Sequence, residues 1–166
     1  MINWVTADSE GAKENGALYL CLHGKRLGVP YKWNTVLSVL ARSLVQNGFL
    51  IGLDDSGAIA GVLPFTYGTG EDDYQDRKRI EVHLLYIEER LQNGRRLLEA
   101  MRVLGRQMLD SPNGIREITF YAVPSASNRR LFGKFATLAS TSEHPCGLLD
   151  FYTISPASLL EYAARH

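Results

Sequence analysis

Ile80-Glu81-Val82-His83-Leu84-Leu85-Tyr86-Ile87 is an apolar run that reads as a strand, with Glu81 and His83 as its two polar residues. A turn closed by Gly94 follows, then an amphipathic helix with Leu97, Leu98, Met101, Leu104 and Met108 on one stripe. Ser111-Pro112-Asn113-Gly114 ends that helix. Residues 118–123 read as a second strand, and Ser125-Ala126-Ser127-Asn128 opens a helix running through Leu131, Phe132, Phe135 and Leu138.

Outward from this stretch the pattern stays mixed. Residues 14–27 can form a helix with Leu18, Cys21 and Leu22 on one face. In the next helix Val36, Leu37, Leu40, Leu44 and Val45 keep helical spacing, with Asn34 as N-cap and Asn47-Gly48 as the stop. Residues 49–53 and 58–67 read as strands around Asp54-Asp55-Ser56-Gly57, a hairpin signal. The polar tract 68–79 reads as a mobile loop. Beyond a turn at His144-Pro145, residues 148–154 form a last strand, and Ser155-Pro156 opens a terminal helix. A short strand at residues 3–7 is an additional candidate. Hairpins and crossovers in one chain argue for an α/β fold, a mixed sheet covered by helices.

The 166 residues suit one domain, 1–166, able to bury a core without metal or disulfide support. Lys+Arg and Asp+Glu balance at 18 each, so no global field points to nucleic acid or an anionic membrane surface. Cys21 and Cys146 form no CxxC pair and read as buried reduced thiols. No metal site is expected. Met1-Ile2-Asn3-Trp4 lacks the charged start of a signal peptide, and no apolar run approaches the ~20 residues of a membrane span. A cytoplasmic protein is the expectation.

Two features carry chemistry. The first turn of the helix after Gly94 has backbone N–H groups without helical partners and the positive end of the dipole behind them. Arg90, Arg95 and Arg96 add cationic donors nearby. A phosphopantetheine phosphate would fit there, although an ordinary helix start with solvent-facing arginines has the same sequence. Strand alternation puts Glu81, His83, Leu85 and Ile87 on one face, where Glu81 and His83 could act as base or substrate-orienting groups, or form a solvated polar pair.

This order and these residues resemble the acyl-carrier half of the GNAT acyltransferase superfamily. The resemblance implies a mixed, mostly antiparallel central sheet flanked by helices, and an acyl-CoA donor. Against the Gln/Arg-x-x-Gly-x-Gly/Ala signature, Gly94 takes the last glycine's place, Gln92 the first, and Glu89 the Gln/Arg position. Asn128, Leu131 and Phe135 match the spacing of the family's pantetheine-binding Asn, apolar residue and aromatic acid, but Phe135 stands where a Tyr is usual. Glu81 falls where several GNAT enzymes place a base. Tyr86 or Ile87 would supply the N–H for the oxyanion, and Gly94, Arg95, Arg96 and Asn128 the carrier contacts.

A weaker resemblance is to the toxin-activating lysine acyltransferases, which take fatty acyl chains from acyl carrier protein to lysines of RTX protoxins. Residues 16–23, 47–55 and 76–79, with Asn93-Gly94, carry it. It implies a role for His23, which lies earlier than that family's histidine, and aligns His83 with its catalytic Asp. Together these lines lead to an acyltransferase that moves an acyl group from acyl-CoA or an acyl carrier protein to an amine, such as a lysine of a protein or peptide. A second copy, as a homodimer, is the other partner considered. The rival expectation is an inactive GNAT-fold binding or regulatory module.

Overall fold

The computed structural model describes residues 1–24 and 28–166. Among them β1 (Asn3–Thr6) is followed by α1 (Glu10–Leu22), α2 (Trp33–Val45), β2 (Phe49–Leu53) and β3 (Ile59–Tyr67). Next come β4 (Arg79–Val82), β5 (Tyr86–Ile87), α3 (Gly94–Leu109), β6 (Glu117–Ala122) and α4 (Ala126–Phe132). A hairpin of β7 (Thr137–His144) and β8 (Gly147–Ile154) leads to α5 (Pro156–Ala164). The sheet runs β1-β2-β3-β4-β6-β8-β7, with β5 also on β3. Its β4–β6 pair is parallel and the remaining pairs are antiparallel.

One core lies under α3 and α5, around Met101, Leu104, Met108 and Leu159; the other lies under α1 and α2, around Leu20, Val36 and Leu40. Burying Met101, Leu104 and Met108 contributes roughly 1.5–3 kcal/mol each, which holds an otherwise Arg-rich α3 to the sheet.

Several expectations need correction. Leu18, Cys21 and Leu22 of α1 point outward, while Gly16 and Leu20 are buried. A side chain at Gly16 would collide with the Phe49 ring, so the buried stripe of α1 is centred on a residue without one. The start of α2 lies at Lys32 with no side-chain cap, and Leu37 and Val45 are exposed. Residues 25–27, the end of the expected first helix, lie outside the described residues. The helix expected through Leu138 stops at Phe132, and residues 137–144 form β7. That strand's first seven residues are exposed, so it carries no alternation to read. The 68–79 tract is well anchored: Thr69 is fully buried, the Gly70 N–H is bonded to Glu81, and Arg79 is paired with Glu71 and Glu117.

The decisive departure is in the 80–87 run. It is two strands, joined by a bulge. Phe65 pairs Val82 and Val62 pairs Tyr86, so Leu63 and Pro64 face three residues, His83, Leu84 and Leu85. Pro64 explains the position. Its carbonyl accepts from the His83 N–H at 3.1 Å, so its ring nitrogen faces the same neighbour and offers no donor. The extra residue inverts the alternation. Ile80 and Val82 share the α3 core with Leu85 and Ile87, whereas Leu84 and Tyr86 join Glu81's side, under α1 and α2.

The bulge also ends the pairing with β6. That ladder runs from Arg79–Glu117 to Val82–Phe120. Beyond it β5 stays on β3 while β6 stays on β8, and the sheet splits between them. Gly61 lets β5 come close: a Cβ there would lie 2.8 Å from the Trp4 ring and 2.9 Å from the Tyr86 carbonyl oxygen. Gly61→Ala should therefore cost about 1–2 kcal/mol from overpacking, read as a lower denaturant midpoint with an unchanged slope.

Candidate active site

The split opens a cavity of about 180 Å³ lined by Val82, His83 and Leu85 on one side and Phe120, Tyr121 and Ala122 on the other. Met101, Phe132 and Phe135 also line it. It adjoins an open groove lined by Ile87, Gln92, Gly94, Leu97, Asn128 and Leu131.

The groove ends at the N-terminus of α3. Asn93 caps it, its Oδ1 accepting from the Arg96 N–H at 2.9 Å. Among the described residues, no atom beyond the helix itself and the chain neighbours of Gly94 lies within 4 Å of where its Cβ would stand, so the first turn is open on that side. Gln92, in the place of the signature's first glycine, has φ −68°, which any residue adopts. Its side-chain amide donates to the Ile87 carbonyl oxygen at 2.7 Å and braces the turn against β5. The arginines are already paired: Arg90 with Glu88 and Asp54, Arg95 and Arg96 with Glu99.

Across the groove, Ser125 caps α4 and the Asn128 side-chain amide donates to the Val123 carbonyl at 3.0 Å. That bond fixes the amide plane and leaves Oδ1 as an acceptor beside the groove. Arg129, the next residue, forms a two-pronged pair with the buried Asp150 of β8 and so anchors α4. The Glu88 N–H donates to Ala60 at 2.8 Å, so alternation directs the N–H of Tyr86 to β3 and those of Leu85 and Ile87 into the split. Phe135 stacks among Phe120, Phe132 and Tyr162.

Glu81 and His83 meet on the opposite side of the sheet. Glu81 Oε2 lies 2.7 Å from His83 Nδ1, and both side chains are buried. The second carboxylate oxygen accepts from the Gly70 N–H at 3.1 Å, and His83 Nε2 lies 2.8 Å from the Thr66 hydroxyl. Three phenols lie within electrostatic reach of the carboxylate. Burial first, and then the Glu81 charge, raise Tyr31 well above the ordinary phenol range, Tyr121 to about 12, and Tyr74 in the same direction. All three are therefore neutral donors at physiological pH. Nothing in the sequence marked Thr66, Tyr31 or Tyr74 as neighbours of Glu81, because three separate connections bring them there.

His23 is not brought to this pair. It closes α1, its Nδ1 2.8 Å from the Tyr19 carbonyl, and its ring packs against Tyr19 and Tyr86. The Tyr86 ring is thus on the α1 side, away from the groove to which its backbone contributes. Among the described residues no cluster of three or more His, Cys, Asp or Glu could hold a metal, and no helix is long and apolar enough to cross a membrane.

No protein-family model matches the chain, and no curated protein sequence does. Solved structures do. A GNAT-family protein from Desulfovibrio desulfuricans superposes with TM-score 0.68 at 8% identity, covering 94% of this chain and 99% of its own. An aminoglycoside acetyltransferase solved with coenzyme A and kanamycin gives 0.67 at 13%, covering 97% and 98%. The polyamine N-acetyltransferase of Drosophila melanogaster, which forms N-acetylagmatine, gives 0.64 at 13%, covering 93% and 100%. The chain has the GNAT fold.

Proposed function

We propose that this protein is an N-acyltransferase that passes an acyl group from a phosphopantetheine thioester to an amine by direct attack in a ternary complex. One observation carries the reading: the split sheet joins an open helix N-terminus and groove on one side to the buried Glu81–His83 pair on the other. The donor's phosphate would sit at Gly94 and Arg95, with Arg96 behind. Its arm would follow the groove, with a pantetheine N–H donating to Asn128 Oδ1. The thioester carbonyl would meet the inward N–H of Ile87, placed to stabilise the oxyanion.

The amine approaches from the Glu81 face and loses one ammonium proton to the pair. Attack forms the C–N bond, the C–S bond breaks, and the thiolate takes the second amine proton. Phe135 has no proton to give, so this internal transfer replaces an acid at that position.

Acyl-CoA is the donor we favour, since Arg90, Arg95 and Arg96 are each already paired with carboxylates and offer less to an acidic carrier protein. A second reading, a GNAT-fold binding module without turnover, is favoured by Phe135 alone. Kinetics with acetyl-CoA and a panel of small amines and lysine peptides separates the two.

Calorimetry tests the donor site. Asn128→Ala should weaken CoA binding about fivefold, the equivalent of ~1 kcal/mol for one hydrogen bond. Gly94→Val should weaken it as well, by placing a β-branched side chain where the phosphate approaches; the open space around Gly94 lets the variant fold. Identical affinities in folded variants would remove the donor from this groove. If Glu at both Arg95 and Arg96 slows turnover of an acylated carrier protein in a salt-sensitive way and spares acyl-CoA, the carrier protein is the donor.

A further inference from the structure

We infer that the Thr66 hydroxyl is a two-position proton switch that lets the Glu81–His83 pair take up and release the amine's proton. The inference rests on the acyltransferase reading for its purpose, and on hydrogen-bond geometry for its existence.

Thr66 lies on β3 opposite Glu81 and is fully buried. Its oxygen stands between two groups that can accept its one hydrogen, the Gly68 carbonyl at 3.1 Å and His83 Nε2 at 2.8 Å. A hydroxyl has one proton to give, so the two contacts cannot both be donations. When Thr66 donates to Nε2, the His83 ring is neutral, and its Nδ1–H donates to a charged Glu81 2.7 Å away. When Thr66 turns to Gly68, Nε2 must carry a hydrogen and donate to Thr66. Nδ1 and Glu81 must then share a second proton, since a bare ring nitrogen cannot face a carboxylate oxygen at that distance.

The two arrangements use the same heavy-atom positions and differ by one proton. The switch thus matches the stoichiometry of the reaction. The ammonium gives up one proton as N–H bond breaks, the pair gains it, and solvent receives it after the product leaves. His83 lines the cavity, so the pair lies at the boundary between the buried network and the split. Thr66 does not itself line the cavity and acts through His83, as a positioning residue.

The other ionisable groups facing the pair come from three elements. They are Tyr31 before α2, Tyr74 after the Gly70 turn and Tyr121 of β6, with Cys146 of the β7–β8 turn acting on Tyr31 in turn. Arg42 of α2 lies over the Tyr74 ring. The three phenols are held neutral by burial and by Glu81, so none of them serves as the base.

Thr66→Val keeps the shape and removes the switch. The proton-loaded arrangement loses two hydrogen bonds and the unloaded one loses one. The pH midpoint of the rate profile should therefore move down by about one unit, the equivalent of one net hydrogen bond. Thr66→Ser should restore it. A packing role alone would scale the rate equally at all pH values. Nitrogen-15 NMR of the His83 ring in the wild-type protein provides a readout that needs no substrate. The expected high-pH form carries hydrogen on Nδ1 only, and the low-pH form on both nitrogens. An Nε2–H neutral ring at high pH, or an unmoved midpoint in Thr66→Val, overturns the switch. Absence of turnover with the expected ring tautomers would instead overturn the acyltransferase reading and leave the switch standing.

Discussion

Glu81→Gln should lower kcat by about 10²–10⁴-fold, the usual contribution of a general base, with donor affinity nearly unchanged. Gln fills the same space and its carbonyl still accepts from the Gly70 N–H. Its amide, however, cannot hold a proton, and its NH₂ would donate to His83 Nδ1, where Glu81 now pairs at 2.7 Å. The loss should appear in single-turnover rates, while calorimetry with CoA stays within error, because the carrier groove lies on the other face of the sheet. Unchanged turnover would move the base to His83 or His23. His→Ala at each, followed across pH, then assigns it; His23 is expected to affect stability alone, since its ring packs against Tyr19 and Tyr86 and closes α1.

The second large effect is on stability. Asp150 is fully buried and accepts from Arg129 Nε at 2.7 Å, from Arg129 Nη2 at 3.0 Å and from the Thr141 hydroxyl at 2.6 Å. These bonds join α4, β7 and β8. Asp150→Asn turns an NH₂ group toward existing donors. The cost should be about 2–3 kcal/mol for charge-assisted bonds, toward the low end because the Arg129 side chain is 48% exposed and can turn to water. For a domain of this size the melting temperature should fall by roughly 4–12 °C.

Arg129 first, opposed by burial and helped by Thr141, holds the Asp150 carboxyl below its ordinary value. A depressed carboxyl contributes stability that is present above its unfolded value, near 3.9, and is lost as pH falls through the folded one. The wild-type protein should therefore lose stability faster than Asp150→Asn on acidification below about pH 4. Parallel acid melting curves for the two proteins would exclude this pair as the cause.

The sequence showed the parts of the fold whose signals are local. The stripe of α3, the Asp54-to-Gly57 turn, and the helix starts at Ser125 and Ser155 are all present. Asn128 was placed correctly at the start of α4 because Ser125 announces that helix. What stayed hidden depends on a partner strand. The split is decided by Pro64, a residue of β3, and appears in β4 and β5 only as an extra residue with no composition of its own. The strand β7 has no buried face to pattern it. The buried face of α1 rests on Gly16, a residue that hydropathy cannot weigh. In the site, Glu81 and His83 were paired by spacing within one run, whereas Thr66, Gly70 and Tyr74 reach them through backbone turns that the sequence does not announce.

The three-against-two count at the bulge makes length, more than residue type, the constrained property of the segment from 82 to 86. Many apolar substitutions at Leu84 or Leu85 preserve which residues face which core. Loss of a single codon there preserves the faces too, because alternation from Val82 would still turn Tyr86 toward α1 and Ile87 toward α3, but it removes the extra residue and with it the split that opens the cavity. The same deletion in the hairpin turn at Asp54–Gly57 would shorten a loop and leave the split as it is. In-frame deletions recovered from a library should therefore be absent from this five-residue window and frequent in the surface turns, a map of the active site written in lengths.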